Sequence, residues 1–496
     1  MRFRSIIKSR WAFAVVLIAC LLPAVYFAFG GASHADVSRA ETAAQGLDEY
    51  RYDLRFLPDE MALYGTMELD FTNRTDNALE SIVLRTYANA YQREENSPAA
   101  IDYFYDGSYK NGFSAGSITI EGLWWNDAII TNWRYSDDAQ TVLHVPIDAL
   151  ATGESGQMLL RFKLKIPNCA HRFGYSEGVW QFGNALPTLS LFENGAWRTD
   201  PYCAVGDPFV SACANYTVSI LAPEGFTCAA GAAVTTEKTD DGLRFRTQGH
   251  ALRDFAFALS REWVSASEKV SGTRVTAYAF DQKTAQAAAK YGAQAVKTYS
   301  KLYGDYAWPQ LTICMVDFPA GGMEYAGLFF ISRAYSAPDL RATMELVIAH
   351  EAAHQWFYAL VGSDQYNQPW QDEALSEFAM LQYAKARYGQ SAYENLLYTR
   401  VKAPMQENIV SRITPGSPVD HFGSYDDYST VVYGRGAALI EAIDTLTGNA
   451  NAFLRAYCDE FAFSFATRND FERCLNRWSG MDLSPLVLDY IDTYIN

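Results

Sequence analysis

Residues 346–378 read LVIAHEAAHQWFYALVGSDQYNQPWQDEALSEF, a segment in which two histidines and several carboxylates fall at spacings that suit a metal ion. His350 and His354 are four positions apart, so a helix places both imidazoles on one face, where they can reach the same ion. Glu351 lies between them and is angled to touch a water molecule at the metal rather than the metal itself. Zinc lowers the pKa of such a water towards ~7, and a nearby carboxylate can then take its proton. The segment therefore predicts a zinc site with Glu351 as the base.

Glu373 is the candidate for the third protein ligand, because two histidines leave a tetrahedral zinc site one ligand short. It follows His354 by 19 positions, across a loop that contains Gly362, Asn367 and Pro369. Two histidines, one glutamate and one open position form the pattern of catalytic zinc sites, whereas structural sites are closed. The alternative is a pair of ordinary surface histidines. With 7 histidines among 496 residues, chance gives the five-residue pattern roughly once in two hundred such chains.

The hydrophobic pattern places both halves of this site on helices. One helix is predicted to run from about 336 to 361, with capping-box spacing at its start and Gly362 at its end. The next runs from about 369 to 388. Residues 284–302 are alanine-rich and predict a helix, residues 311–317 predict a strand, and the rest of the second half is mostly helical in pattern.

The first half of the chain has a different period. Apolar and polar residues alternate along Met67–Thr72, Met158–Ile166 and Tyr216–Ile220, and turn-forming residues separate these runs. Strict alternation is typical of strands with one buried face. We therefore expect residues 50–262 to form a β-sandwich or saddle of antiparallel sheets.

The first 49 residues predict a membrane anchor and a tether. Residues 1–10 are basic, and the apolar run 11–29 is 19 residues long, just enough to cross a bilayer as a helix. The basic flank would stay in the cytoplasm, which leaves the tether 30–49 and the body of the protein outside. Two alternatives stay open: a signal peptide cleaved near Ser33–Ala35, so that the protein is secreted, and a lipoprotein processing site at Cys20, which the apolar residues after it disfavour.

Charge and cysteine content exclude several other classes. The net charge is −17 and no Lys/Arg cluster occurs beyond residues 1–10, whereas a nucleic-acid binder needs a basic face. Neither a GxGxxG motif nor a P-loop is present. Export would permit disulfides, for which Cys203 with Cys213 and Cys458 with Cys474 are candidate pairs.

The pattern His350-Glu351-Ala352-Ala353-His354, an 18-residue gap and Glu373 resembles the gluzincin aminopeptidases, the aminopeptidase N and leukotriene hydrolase family. The resemblance extends over most of the chain from about residue 50. Three further matches follow. Gly321–Tyr325 resembles the GxMEN exopeptidase motif of the family. Tyr428 with Tyr433–Gly436 resembles its catalytic-tyrosine segment, and Gly206–Phe209 followed by Asn215–Val218 resembles its N-terminal β domain.

The resemblance implies a role for each motif. Glu324 would bind the free α-amine of a peptide through a charge-assisted contact. Gly321 and Gly322 lack side chains, so their backbone could pair with a peptide as an added strand, and Met323 would belong to the same substrate-binding segment. Tyr433 would donate a hydrogen bond to the oxyanion of the tetrahedral intermediate. From the residues alone, a turn at the glycines and a packing role for the tyrosine are the simpler interpretations.

The sequence departs from the family pattern in three places. Tyr325 stands where the exopeptidase motif has asparagine, which would alter a subsite wall. Asp372 precedes Glu373 in place of asparagine and could orient a ligand from behind, and Glu377 could do likewise or lie on a solvated helix face. The chain ends 63 residues after Tyr433, which leaves no room for the C-terminal helical domain of the family, so we expect a cleft without that cover.

The predicted fold class is a multidomain α+β protein. A transmembrane helix precedes an N-terminal antiparallel β-sandwich or saddle domain over residues 50–262. A thermolysin-like, mostly helical zinc peptidase domain follows over residues 263–496 and is helical from about residue 336.

The function predicted from these observations is a zinc metallopeptidase that removes N-terminal amino acids from peptides outside the cytoplasm. One Zn²⁺ per chain would be held by His350, His354 and Glu373, and the partners would be peptides with a free N-terminus and the membrane. One alternative is a zinc endopeptidase or other hydrolase on the same scaffold, which an amine-binding Glu324 would obstruct. The other is a non-catalytic surface-binding protein, which would be expected to lack a ligand or the base. The oligomeric state is left open.

Overall fold

The first half of the chain is β-rich, as its alternating pattern predicts. The computed structural model describes residues 38–101, 104–406 and 412–493. The strands up to residue 260 are β1 (Glu49–Leu57), β2 (Ala62–Thr72), β3 (Leu79–Arg85), β4 (Ser117–Trp125), β5 (Ala128–Ile129), β6 (Arg134–Tyr135), β7 (Val142–Leu150), β8 (Ser155–Lys165), β9 (Phe173–Ser176), β10 (Val179–Phe182), β11 (Thr188–Leu189), β12 (Phe192–Glu193), β13 (Ala196–Trp197), β14 (Ala214–Ala222), β15 (Thr227–Ala230), β16 (Val234–Thr239), β17 (Gly242–Leu252) and β18 (Phe257–Ser260).

An eight-stranded sheet forms the frame of this half, in the order β16-β17-β14-β1-β2-β8-β4-β5. Its neighbouring strands are antiparallel except β1 and β14, which are parallel. Met67 and Leu69 of β2, and Leu160 and Phe162 of β8, are fully buried, whereas the residues between them are partly or fully exposed. Because side chains alternate across a strand, this register turns one face of the sheet to the core.

Helices dominate the chain after residue 280. The α-helices are α1 (Arg39–Ala43), α2 (Phe104–Ser108), α3 (Gln282–Tyr303), α4 (Arg341–Ala353), α5 (Trp370–Tyr388), α6 (Gln390–Leu397), α7 (Ala403–Gln406), α8 (Tyr425–Tyr428), α9 (Gly436–Thr447), α10 (Ala450–Glu460), α11 (Arg468–Ser479) and α12 (Ser484–Asp492). Three π-helical turns interrupt them, at Gln355–Leu360, Tyr398–Lys402 and Ser429–Arg435.

A five-stranded sheet lies between the β-rich half and the helices that follow. Its strands are β19 (Val264–Val270), β20 (Thr273–Ala279), β21 (Gln310–Val316), β22 (Gly322–Tyr325) and β23 (Leu328–Ser332), in the order β19-β20-β21-β23-β22. Helix α3 connects the parallel strands β20 and β21. Strand β22 is an edge strand of the sheet, and α4 packs against it. The boundary drawn from the sequence at residue 262 falls between β18 and β19, and the domain boundaries stay a prediction.

Helix α4 differs from the prediction at both ends, because the helical pattern of 336–361 contains two interruptions. Short 3-10 turns occupy its start, and the α-helix begins only at Arg341. It ends at Ala353, and the π-helical turn after it contains Tyr358 at φ 173° and ψ −69°. Arg253 accounts for this break, since its Nε donates to the Tyr358 carbonyl at 2.7 Å and replaces a helical partner. The chain therefore kinks at Phe357 and Tyr358, one turn after His354.

The transmembrane part of the predicted fold class is corrected. No helix within residues 38–101, 104–406 and 412–493 is long and apolar enough to cross a bilayer. Helix α3 has 22 residues, but it carries four lysines on its exposed face, and α5 carries five charged side chains. The predicted anchor, residues 11–29, lies outside the described residues. The membrane anchor and the membrane-bound location inferred from it are therefore not retained.

The candidate disulfides do not form in the structure. Cys203 and Cys213 are free thiols, as are Cys458 and Cys474. Burial raises the pKa of the Cys213 thiol, which keeps it protonated.

Candidate active site

Three side chains from α4, its C-terminal cap and α5 form a compact tripod. His350 Nε2 lies 3.1 Å from His354 Nε2 and 3.3 Å from Glu373 Oε2, and His354 Nε2 lies 3.4 Å from the same carboxylate oxygen. A tetrahedral ion with bonds of about 2.0–2.1 Å needs ligand atoms about 3.3–3.4 Å apart. The two imidazole nitrogens and the carboxylate oxygen can each give an electron pair to the same ion, so the three ligand atoms fit a metal ion. All three side chains are buried.

Two further carboxylates lie behind the histidines. His354 Nδ1 donates to Asp372 Oδ1 at 2.6 Å, which leaves Nε2 free to face the tripod. His350 Nδ1 lies 3.2 Å from Glu377 Oε2, at ion-pair distance although poorly aligned for a hydrogen bond. Glu377 is fully buried, so the solvated helix face considered for it is wrong. Carboxylates in this position fix imidazole orientation and raise ligand basicity.

Arg400 compensates the buried charge of Glu377. Its Nη2 donates to Glu377 Oε2 at 3.0 Å, and its Nε donates to Oε1. Burial acts to raise the pKa of Glu377, but Arg400 and His350 outweigh it and lower this pKa to about 2. The carboxylate therefore stays ionised beside the tripod.

Glu351 is a carboxylate beside the tripod with an unused acceptor. Its side chain is buried, and Oε2 has no hydrogen-bond partner among the described residues. Burial raises its pKa to about 7, while the neighbouring histidines act in the opposite direction. A β-carbon at Gly322 would lie 2.1 Å from Glu351 Oε1, so the glycine leaves the space that this carboxylate fills.

Glu324 belongs to the short edge strand β22, on the opposite wall of the cleft. It is buried, Oε1 also lacks a hydrogen-bond partner among the described residues, and burial raises its pKa well above the ordinary value. Its carboxylate oxygen lies within 4.8 Å of a ligand atom of both Glu351 and His354. An unpaired buried acceptor costs ~1–3 kcal/mol, and such groups cluster at sites that bind ligands.

The turn after β22 is fixed to the histidine helix and to the β-rich half. Gln355 Nε2 donates to the Tyr325 carbonyl at 2.9 Å, and the Gly327 N–H donates to Gln355 Oε1 at 2.9 Å. The Ala326 N–H donates to Asp254 Oδ1 at 2.8 Å. These bonds determine where Glu324 sits relative to His354.

Tyr325 does not line the cleft, unlike Met323 and Glu324 on the same strand. Its side chain is fully buried, and its hydroxyl occupies the space where a β-carbon at Gly183 would stand. Its ring packs edge-on against Phe330 at 5.1 Å between centroids. The subsite wall is therefore not formed by the residue that departs from the motif.

Arg172 and Asp207 line the cleft, and the sequence analysis assigned neither of them a role. Arg172 donates to Asp207 Oδ1, to the Gly206 carbonyl at 3.2 Å and to Met323 Sδ at 3.0 Å. The Asp207 carboxylate lies within 4.8 Å of a carboxylate oxygen of Glu324. Asp207 lies in the segment that resembles the family, which was the available signal, whereas nothing near Arg172 in the sequence marked it.

Tyr433 approaches the tripod from the π-helical turn Ser429–Arg435. Its ring stacks on His350, with centroids 5.5 Å apart and planes inclined by 20°. Burial raises the pKa of its hydroxyl well above the ordinary value, so it remains a proton donor in hydrogen bonds. It faces a cleft of about 560 Å³, which the sequence-predicted Gly321, Gly322 and Met323 also line.

The fold and site together place one tripod of candidate metal ligands in a cleft beside a β-rich N-terminal part. Residues 288–490 match the peptidase family M1 domain. The aminopeptidase B of Mus musculus is 28% identical over 277 residues, which are 52% of this chain and 41% of that protein. The aminopeptidase N of Lactobacillus delbrueckii subsp. lactis is 19% identical over 436 residues, 80% of this chain and 50% of that protein. The chain thus spans half or less of the length of these relatives.

A solved structure has the same fold. The M1 zinc metallopeptidase from Deinococcus radiodurans superposes with a TM-score of 0.65 at 16% sequence identity, over 91% of this chain and 94% of that one. The predicted resemblance to the gluzincin aminopeptidases is confirmed by the M1 domain over residues 288–490 and by the aminopeptidase relatives. The β-rich first part and the helical second part agree with the fold of that metallopeptidase.

Proposed function

We propose that this chain is a zinc aminopeptidase, which hydrolyses the first peptide bond of substrates with a free α-amine. The observation that carries the proposal is the pair of carboxylate oxygens Glu324 Oε1 and Glu351 Oε2. They are the carboxylate oxygens among the described residues that are buried without a hydrogen-bond partner. Both lie at the tripod, so one is available to a water and the other to a cationic group.

Zinc would be held by His350, His354 and Glu373, and when bound it would acidify the attacking water and polarise the scissile carbonyl. The peptidase family M1 domain and the edge lengths of the tripod support this choice of metal. Asp372 would hold His354 Nδ1 by a hydrogen bond and Glu377 would hold His350 Nδ1 by an ion-pair contact, so that each Nε2 faces the metal.

Glu351 would act as general base and then as general acid. Its free Oε2 accepts a hydrogen bond from the water and takes one proton as the water oxygen attacks the carbonyl carbon. It then transfers that proton to the leaving nitrogen as the C–N bond breaks. A general base is most effective when its pKa lies near the working pH, and burial raises the pKa of this glutamate towards neutral pH.

Glu324 would bind the α-ammonium group of the substrate, with Asp207 adding negative charge beside it. Asp207 is already paired with Arg172, so Glu324 carries the less compensated charge of the two. The open edge of β22 would present Gly321 and Gly322 to the substrate backbone as an added strand, with Met323 in the same segment. These contacts would select a chain terminus and reject the interior of a long peptide.

Tyr433 would stabilise the transition state from the His350 side. A neutral phenol can donate to the oxygen that becomes negative when the carbonyl is attacked, and donors of this kind contribute roughly 10²–10³ in kcat. The stack on the His350 ring would hold the hydroxyl in position.

The test is cleavage of a panel of aminoacyl fluorogenic amides, each measured beside its N-acetylated twin, with and without a zinc chelator. We expect chelator-sensitive cleavage of only the free-amine substrates, and one zinc per chain by elemental analysis. In E324Q the ratio of free-amine to acetylated cleavage should fall at least tenfold. E237Q, a matched change on the exposed face of β16, should leave it unchanged. Equal cleavage of the acetylated twins would indicate an endopeptidase instead, and a zinc-loaded protein that cleaves neither would indicate a binding protein.

A further inference from the structure

Arg400 contributes a half-exposed guanidinium to the wall of the cleft. It lies in the π-helical turn that follows α6, and 47% of its side-chain surface is accessible, whereas its partner Glu377 is fully buried. An arginine that served only to neutralise Glu377 would need no such access to the cleft.

One edge of this guanidinium is occupied and the other is available. Nε and Nη2 donate to the two oxygens of Glu377 in a bidentate pair. Nη1 makes no hydrogen bond with any residue in the described parts of the chain. Arginine has donors along two edges of a rigid plane, so the edge formed by Nη1 and Nη2 can bind a second carboxylate.

Glu324 and Arg400 approach different histidines of the tripod. A carboxylate oxygen of Glu324 lies within 4.8 Å of a ring nitrogen of His354. Arg400 reaches the other histidine, His350, through Glu377. Both residues line the same cleft, so a peptide with its amine at Glu324 and its first carbonyl at the tripod can extend along the cleft to the half-exposed guanidinium.

The other arginine of the cleft wall cannot take this role. Arg172 is buried and donates to Asp207, to the Gly206 carbonyl and to Met323 Sδ. It also lies on the Glu324 side of the cleft, where a substrate amine would be repelled by an uncompensated cation.

We propose that Arg400 binds the α-carboxylate of short peptides, so that this chain prefers substrates whose free amine and free C-terminus are a few residues apart. The inference deepens the proposed aminopeptidase function and rests on it. The substrate class is small zwitterionic peptides, with Arg400 as a substrate-binding residue on the leaving-group side.

The experiment compares peptide acids with their C-terminal amides at lengths of two, three and four residues. Each peptide carries the N-terminal residue preferred in the fluorogenic panel, followed by alanines, and the aminoacyl fluorogenic amide serves as a reference without a carboxylate. At the best length we expect the acid to exceed the amide about tenfold in kcat/KM, mainly through KM, as for a hydrogen bond to a charged group. R400Q should bring this ratio close to one, and R400K should restore part of it. K402Q, which removes the same charge two residues away and outside the cleft, should keep the wild-type ratio.

A binding measurement separates the two proposals. Calorimetry with zinc-loaded E351Q, which cannot turn over substrate, should show tighter binding of the acid, and the difference should vanish in E351Q/R400Q. Equal binding of acid and amide to E351Q would overturn the role of Arg400, while cleavage of the fluorogenic amides would leave the aminopeptidase proposal intact. If R400Q weakened acids and amides equally, Arg400 would act only by holding Glu377, and the inference would be refuted. Acid-selective binding without cleavage of any free-amine substrate would refute the proposed function alone.

Discussion

Gly322→Ala should disable the base while leaving the metal site intact. A β-carbon at this position would lie 2.1 Å from Glu351 Oε1 and 2.5 Å from Cδ. The glutamate side chain must retreat by about 1.3 Å to reach an ordinary contact of 3.4 Å. Gly322 does not have a left-handed backbone conformation, so alanine is compatible with the strand and the carboxylate bears the displacement.

The size of the effect follows from the displacement. A misplacement of about 1 Å at a reacting group can cost roughly 10²-fold, and a positioned general base contributes roughly 10²–10⁴-fold. We therefore expect kcat of G322A to fall by about 10² to 10⁴, a barrier increase of roughly 3–5 kcal/mol. Zinc content and melting temperature should stay near those of the wild type.

The assay is kcat on the best aminoacyl fluorogenic amide, with zinc content and melting temperature measured on the same samples. Gly423→Ala is the matched control, because a β-carbon there meets no atom within 4 Å. A double variant tests whether the loss of kcat acts through Glu351. In an E351Q background, G322A should reduce kcat almost no further. Full kcat in a folded, zinc-loaded G322A, or an undiminished further loss in the double variant, would refute the reasoning.

Two other predictions concern groups further from the reaction. Glu377→Gln should weaken zinc binding by roughly 10–100-fold in chelator competition, because His350 loses the carboxylate behind it. Glu373→Ala removes a ligand and should weaken zinc binding more. An unchanged zinc affinity in E377Q would contradict the role given to Glu377. Burial raises the pKa of Asp254 to about 6, although the hydrogen bond from Tyr358 acts to lower it. Asp254 therefore holds its proton more tightly in the folded protein than in the unfolded one. The free energy of unfolding of the wild type should therefore rise relative to that of D254N as pH falls from above 6 towards 4, by up to about 3 kcal/mol. Denaturant melts at pH 4.5 and 7.5 measure this difference. Parallel pH curves for the two proteins would contradict the prediction.

The tripod of candidate metal ligands was predictable because its spacing is local. His350, Glu351 and His354 share one helical turn, and Glu373 lies on the next helix, so helical periodicity and one short loop determine most of the tripod. The start of α5 agrees with the prediction for the same reason. The early end of α4 was not predictable, because Arg253, which bonds the Tyr358 carbonyl, lies more than a hundred residues earlier in the chain.

The features of the site that could not be predicted depend on contacts between segments that are distant in the sequence. The requirement for Gly322 arises from the carboxylate of Glu351 on another element, and a glycine in sequence carries no sign of that neighbour. Arg172 and Asp207 pair between two loops of the β-rich half. The solvated-face interpretation of Glu377 failed because α5 is enclosed on all sides along its first turns, so its polar residues indicate buried partners instead of solvent.

The buried carboxylates of the site differ in whether they have partners, and this difference distinguishes the supporting groups from the reactive ones. Asp372 and Glu377 each contact an imidazole from behind, and the latter is also paired with an arginine. Glu373 is engaged by both histidines. After these pairings Glu324 and Glu351 alone, among the carboxylates of the described residues, keep a buried oxygen without a partner. A fold that satisfies every neighbouring carboxylate has no structural reason to leave these two unpaired, so the unpaired oxygens are best explained by the substrate amine and the water that we propose they bind.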